Sequence, residues 1–139
     1  MKPIVLPRDI TISSAARKYF YSPEDLVKAR EFLAGYLKGE KISFKMRLRL
    51  DDLSPFTRRV LGIVRTIPYG QTRTYGWVAR RIGLAKGSRA IGQALKRNPL
   101  TIIIPCHRVI RSNGEPGGFS RGVRLKKILL AKEGKKVIN

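Results

Sequence analysis

Residues 54–99 read SPFTRRVLGIVRTIPYGQTRTYGWVARRIGLAKGSRAIGQALKRNP, and their punctuation decides the fold. Ser54-Pro55 opens a helix. A serine hydroxyl satisfies an orphan amide of the first turn, and proline suits the first helical position because its missing N–H had no partner there. Phe56, Val60, Ile63, Val64 and Ile67 then recur at helical spacing until Pro68-Tyr69-Gly70 stops the run. Thr74 caps a second helix over 75–82, which Gly83 breaks. Ser88 caps a third, running to about Arg97, and Asn98-Pro99 ends it because the residue before proline is pushed out of the helical region. Two short helices joined by a glycine-containing turn predict a helix-turn-helix, with 88–97 as the recognition helix. Ala90, Gly92 and Ala94 would allow close approach to another surface, and equally suit simple helix packing.

Downstream, Thr101 to Ile104 reads as a buried β-type run leading into Pro105-Cys106-His107. Asn113-Gly114 is a strong hairpin signal, so a small wing is expected after Val109-Ile110-Arg111. A last helix over about 121–133 is expected to turn Val123, Leu125, Ile128 and Leu129 inward and Lys126, Lys127 and Lys132 outward, with Gly134 as terminator. Upstream, Ser22-Pro23-Glu24 starts a helix to about residue 38, and Ile10 to Ile12 suggests a strand. Residues 41–50 alternate apolar and basic side chains like a half-buried strand. The expected class is therefore α/β (α+β): a short α/β segment over 1–53, then a mainly helical, winged helix-turn-helix-like domain over 54–139.

Charge narrows the partner. The chain of 139 residues carries 30 Lys and Arg against 9 Asp and Glu, net +21. Residues 1–53 hold 11 basic and 7 acidic residues, a net +4, whereas residues 54–139 hold 19 and 2, a net +17. Such a surface attracts a polyanion and releases condensed counterions on binding it. The single cysteine excludes an internal disulfide, and with the single histidine it is too few for a tetrahedral zinc site. No apolar run approaches the length of a membrane span, and the N-terminus lacks a signal-type stretch, so a cytoplasmic protein is expected.

The chemistry-bearing residues are few. Cys106 and His107 are the only ones of their kinds, and they are neighbours. A thiolate is a strong nucleophile, and an imidazole or a basic field can activate it; on its own, a lone cysteine after buried isoleucines is more often an inert core residue. Successive side chains of an extended backbone point apart, so contact between the two needs a turn or a bridging water. Glu133, one of two acids after Asp52, is available to orient the histidine, or is simply a helix-terminal surface acid.

Ile104-Pro105-Cys106-His107-Arg108-Val109, preceded by Asn98-Pro99, resembles the active-site signature of the O6-alkylguanine-DNA alkyltransferases. Ile67-Pro68-Tyr69-Gly70, Thr74-Tyr75-Gly76, Ser88-Arg89-Ala90-Ile91-Gly92, Gly118-Phe119-Ser120 and Leu129-Leu130-Ala131-Lys132-Glu133-Gly134 follow the same family's pattern in order, over about residues 54–134. The resemblance implies irreversible, stoichiometric transfer of an alkyl group from O6-alkylguanine, and also from O4-alkylthymine, onto Cys106 with the base flipped out. By position, His107 would remove the thiol proton through a water while Glu133 holds it, and Asn98 would brace the turn. Tyr75 would bind the flipped base and assist departure of its oxygen. Phe119, Ser120 and the carbonyls of Cys106 and Val109 would line the base site. Ser88, Arg89, Gly92 and Arg97 would bind DNA from the minor groove, with Arg89 filling the gap in the stack. No metal or cofactor is implied, and a monomer acting on double-stranded DNA is expected.

Departures from the pattern qualify this. The family's RNase-H-like N-terminal sheet would be truncated or open in 53 residues. Arg121 stands where glycine is frequent and is expected at the pocket mouth, restricting bulky adducts. Alkyltransferase-like lesion-binding proteins share the scaffold but replace the cysteine. A Cys–His hydrolase ordinarily uses a distant histidine, and an architectural protein would have no use for the thiol.

Overall fold

A computed structural model describes residues 12–119 and 121–135, so the expected strand at Ile10 to Ile12 lies, except for Ile12, outside the described residues. A 3-10 turn over Ser14–Tyr19 leads to helix α1, Pro23–Leu37. Ser22 Oγ accepts from Asp25 N at 3.1 Å, and Glu24 and Asp25 sit in the first turn, where negative charge suits the helix dipole. Leu26, Ala29, Leu33 and Tyr36 form its buried stripe. Tyr36 takes the innermost place near the helix end, while Val27 is exposed.

Residues 40–50 alternate between exposed and more buried side chains as expected of a strand, yet they have no ladder partner among the described residues. Leu48 is buried, Arg49 N donates to Tyr19 O at 2.7 Å, and Arg65 Nη2 donates to Phe44 O and Met46 O. Periodicity reports which face is covered; it does not supply a neighbouring strand.

The middle of the chain follows its caps. Helix α2 spans Pro55–Val64, with Ser54 Oγ accepting from Thr57 N at 3.1 Å. Helix α3 spans Tyr75–Arg81, with Thr74 Oγ1 accepting from Trp77 N at 3.0 Å, and Gly83 turns the chain at φ +83°. Helix α4, Ser88–Leu95, starts one residue earlier than expected. Gly87 is its N-cap and Ser88 makes no capping bond. Helices α2, α3 and α4 pack on one another around Val60, Leu61, Val64, Val78 and Ile91.

Apart from an isolated bridge between Thr101 and Ile104, strand pairing among the described residues is limited to β1, Arg73–Thr74, beside β2, Val109–Ile110, in parallel, with Arg73 opposite Val109 and Thr74 opposite Ile110. Thr101 to Ile104 is a tight turn rather than a strand, buried but closed by Ile104 N donating to Leu100 O at 2.9 Å. The expected wing reduces to a turn at 112–114, in which Arg111 N donates to Glu115 O. Helix α5, Val123–Lys132, packs on the 3-10 turn Cys106–Arg108. Leu125 and Leu129 are buried as expected, but Lys126, expected outward, is buried beside them and Val123, expected inward, is 40% exposed. No helix of the described residues is long and apolar enough to cross a membrane.

Candidate active site

The turn after α4 delivers the cysteine. Asn98 is buried, and its side chain spans the turn: Oδ1 accepts from Leu100 N at 2.9 Å, while Nδ2 donates to Ile104 O at 2.8 Å and lies 3.1 Å from Cys106 Sγ. Within that span Ile102 has φ +78°. A β-branched residue there is strained by about 1–3 kcal/mol and persists only because its surroundings hold it. One amide thus closes the loop and hydrogen-bonds the sulfur.

Cys106, His107 and Arg108 form a single 3-10 turn, so their side chains fan out instead of alternating. Cys106 faces a cavity of about 530 Å³, also lined by Tyr75, Arg89, Arg111, Gly118 and Phe119. His107 points the other way, into the interior, fully buried. No hydrogen bond joins Cys106 and His107 directly among the described residues. Burial pushes the thiol pKa up, and the Asn98 amide and the Lys126 ammonium pull it back.

Behind the turn, Glu133 gathers five donors. Oε1 accepts from Gly70 N and Arg108 Nε, both at 2.9 Å. Oε2 accepts from His107 Nε2 at 2.5 Å, Tyr36 OH at 2.7 Å and Arg108 Nη2 at 3.2 Å. Burial opposes its charge, but the hydrogen bonds from His107, Arg108 and Gly70 outweigh that and hold the carboxyl at about 2. An ionised carboxylate only accepts, so His107 Nε2 carries the proton. Burial keeps the imidazole pKa below its ordinary value despite the carboxylate, and the ring is neutral. Nδ1 is then the accepting nitrogen, buried and without a partner among the described residues.

On the cavity side, Lys126 Nζ donates to Tyr75 OH at 3.2 Å and to Gly118 O at 3.1 Å. Only 1% of this lysine is exposed, and burial lowers its pKa to about 8. Burial likewise raises the Tyr75 pKa. Gly117 passes so close that a Cβ would sit 2.6 Å from Tyr75 OH, and its φ is +74°, so two independent constraints require glycine.

The expected residues divide accordingly. The cavity brings together Cys106, Tyr75, Phe119, Ser88, Arg89 and Gly92, which puts one edge of α4 on the rim of the same space as the sulfur. Asn98 meets the cysteine from the interior, and His107 and Glu133 pair behind its turn. Arg97 is exposed and does not line the cavity, Val109 is buried in β2, and Ser120 lies outside the described residues. Arg121 corrects an expectation: it lines a different cavity, with Ile12, Leu33, Pro99 and Leu125, and not the one holding Cys106.

Sequence reading missed Tyr36, Arg108 and Lys126. Lys126 had a signal, because it precedes Leu129 and Leu130 by three and four residues and so shares their face. Tyr36 likewise follows Leu33 by three. For Arg108 the signal was chemical, since a buried carboxylate requires a buried cation.

Residues 55–135 match the family described as 6-O-methylguanine DNA methyltransferase, DNA binding domain. The methylated-DNA--protein-cysteine methyltransferase of Methanosarcina acetivorans is 42% identical over 125 residues, covering 85% of this chain and 80% of that protein. The crystal structure of Mycobacterium tuberculosis OGT in complex with DNA superposes with a TM-score of 0.74 at 40% identity, covering 81% of this chain and 68% of that one. Schizosaccharomyces pombe Atl1, in complex with damaged DNA containing O6-carboxymethylguanine, is similar over 66% of this chain and 83% of its own, at a TM-score of 0.54 and 37% identity. With more than half of its length matched and these identities, this chain belongs to the 6-O-methylguanine DNA methyltransferase family.

Proposed function

We propose that this protein repairs DNA by moving the alkyl group of O6-alkylguanine, and of O4-alkylthymine, onto Cys106 in one irreversible step. The observation that carries the reading is the sulfur itself. It lines a cavity rimmed by α4 and Tyr75, with a neutral histidine and its carboxylate packed behind it. The target atom is inaccessible within stacked duplex DNA, so the nucleotide is everted into the cavity, with Arg89 entering the stack from the minor groove.

The chemistry balances without a cofactor. The thiol proton passes through a water to His107 Nδ1, while Glu133 holds the opposite nitrogen. The thiolate attacks the alkyl carbon in line, the new S–C bond forms as the C–O6 bond breaks, and the departing guanine takes a proton at the Tyr75 side. Asn98 braces the turn, and Phe119, Ser120 and the carbonyls of Cys106 and Val109 complete the base site. Ser88, Gly92 and Arg97 serve the DNA contact. Residues 54–139 form the DNA-binding and acceptor domain, residues 1–53 a reduced N-terminal part, and the protein acts as a cytoplasmic monomer. An alkyl thioether is a poor electrophile that none of the described residues is set to cleave, so each molecule acts once.

Similarity to Atl1 supports a second reading, lesion binding without transfer, and Cys106 is the feature that argues against it. Intact mass after mixing with O6-methylguanine duplex separates the two. We expect a gain of one methylene mapped to Cys106. Protein that binds the lesion but gains no mass, or gains it elsewhere, would overturn the transfer reading.

A further inference from the structure

We propose that Tyr36, at the end of α1, is a positioning residue for thiol deprotonation: its hydroxyl holds the Glu133 oxygen that also holds His107. The inference rests on the transfer reading above and deepens it. It makes the N-terminal segment part of the active site.

The geometry carries the claim. Tyr36 is fully buried, and its OH donates to Glu133 Oε2 at 2.7 Å, the oxygen that accepts the His107 Nε2 proton at 2.5 Å. The phenol oxygen lies 3.5 Å from Nε2. The Tyr36 ring packs edge-on to Tyr69 at 5.9 Å and to the imidazole at 6.3 Å. A carboxylate oxygen offers two lone pairs in its plane. Tyr36 OH at 2.7 Å is a closer donor to this oxygen than Arg108 Nη2 at 3.2 Å, and with both in place a lone pair stays aimed at the imidazole.

The same donor limits the proton affinity of Oε2. The Nε2 proton therefore stays on the ring, and Nδ1 stays free to accept from the thiol side. Burial and the adjacent carboxylate push ionisation of the phenol far above its ordinary range, so Tyr36 is a fixed donor and not a relay. A residue needed only for packing would fill this place as phenylalanine.

The test is Tyr36→Phe, which keeps the ring and removes the hydroxyl. His107 is the only histidine, so its imidazole nitrogen resonances report without ambiguity. The groups acting on it are Tyr36 from α1, Arg108 from its own turn, and Lys126 and Glu133 from α5 and its end, with Tyr69 packed on Tyr36 and Arg108. We expect roughly tenfold slower alkyl transfer at neutral pH, the worth of one buried hydrogen bond to a charged group. Affinity for O6-methylguanine duplex should be unchanged. The imidazole should shift from a single Nε2-protonated tautomer to a mixture, and the acid limb of the rate profile should move to higher pH.

Unchanged rate and tautomer would overturn the proposal. So would slower transfer with an unchanged tautomer and pH profile, because that outcome assigns Tyr36 to packing alone. Should the variant not fold, the wild-type protein decides: a slowly exchanging Tyr36 hydroxyl proton close to His107 Hε1 supports the inference, and its absence overturns it. Wild-type protein that gains no alkyl group on Cys106 would overturn the transfer reading instead, and the imidazole resonances would report on Tyr36 regardless.

Discussion

The two sides of the Cys106 turn are built on opposite principles. Behind it, Glu133 is 7% exposed and meets five donors, Arg108 supplies the compensating charge, and every group but one ring nitrogen is satisfied. In front of it, Lys126 is still more deeply buried, 1% exposed, and its hydrogen-bond partners among the described residues are the neutral Tyr75 and Gly118 oxygens. The interior side is a closed network in which a buried ion pair fixes an orientation. The cavity side carries a cation with no carboxylate partner among the described residues, whose burial costs stability, and its place beside the cavity of the nucleophile makes it a candidate for a part in the chemistry. Stability and reactivity are thus assigned to opposite faces of three residues.

The contrast breaks most severely at Glu133. Changing Glu133→Gln leaves the Arg108 guanidinium buried without a counter-charge, and we expect a loss of about 3–5 kcal/mol of folding stability together with slower alkyl transfer. Urea denaturation midpoints and transfer rates measured side by side check this, and a stability within error of wild type would dissolve the network interpretation.

Acid probes the same side with a somewhat smaller effect. Glu133 has a folded value of about 2 against an ordinary 4.5, so the unfolded chain binds more protons between them. The stability this group provides is complete above 4.5 and disappears as pH falls to about 2, on the order of 3 kcal/mol in all. His107 acts in the same direction, because its folded pKa lies below the ordinary 6.5 and stability begins to fall as pH drops below that value. Denaturation midpoints between pH 7 and 3 should decline steadily. A flat profile would show that neither group is held as described.

The cavity side should respond with the opposite sign. Lys126→Met removes the desolvated charge and should stabilise the fold by roughly 1–3 kcal/mol while slowing transfer. The wild-type lysine titrates near 8 folded and 10.5 unfolded, so the unfolded chain binds more protons in that window and wild-type stability rises across it. The stability gap between variant and wild type should therefore close between about pH 8 and 10.5. A destabilised, fully active variant would place Lys126 in the structural class with Arg108.

What the sequence determined by itself was local. Ser22, Ser54 and Thr74 cap their helices because a hydroxyl three residues before an amide needs nothing else from the fold. The motif around Cys106 and His107, the helix that carries Ser88, Arg89 and Gly92 to the cavity rim, and the basic balance of residues 54–139 were likewise readable along the chain. Tertiary structure decided the rest. It denied residues 40–50 a ladder partner among the described residues, closed Thr101–Ile104 into a turn through the Asn98 side chain, turned Lys126 inward and set Arg121 on a different cavity. It also brought Tyr36 to Glu133 across 97 positions and Lys126 to Tyr75 across 51. Caps and stripes depend on neighbours a turn away, whereas the proton affinity of a buried group depends on whichever distant residues share its space.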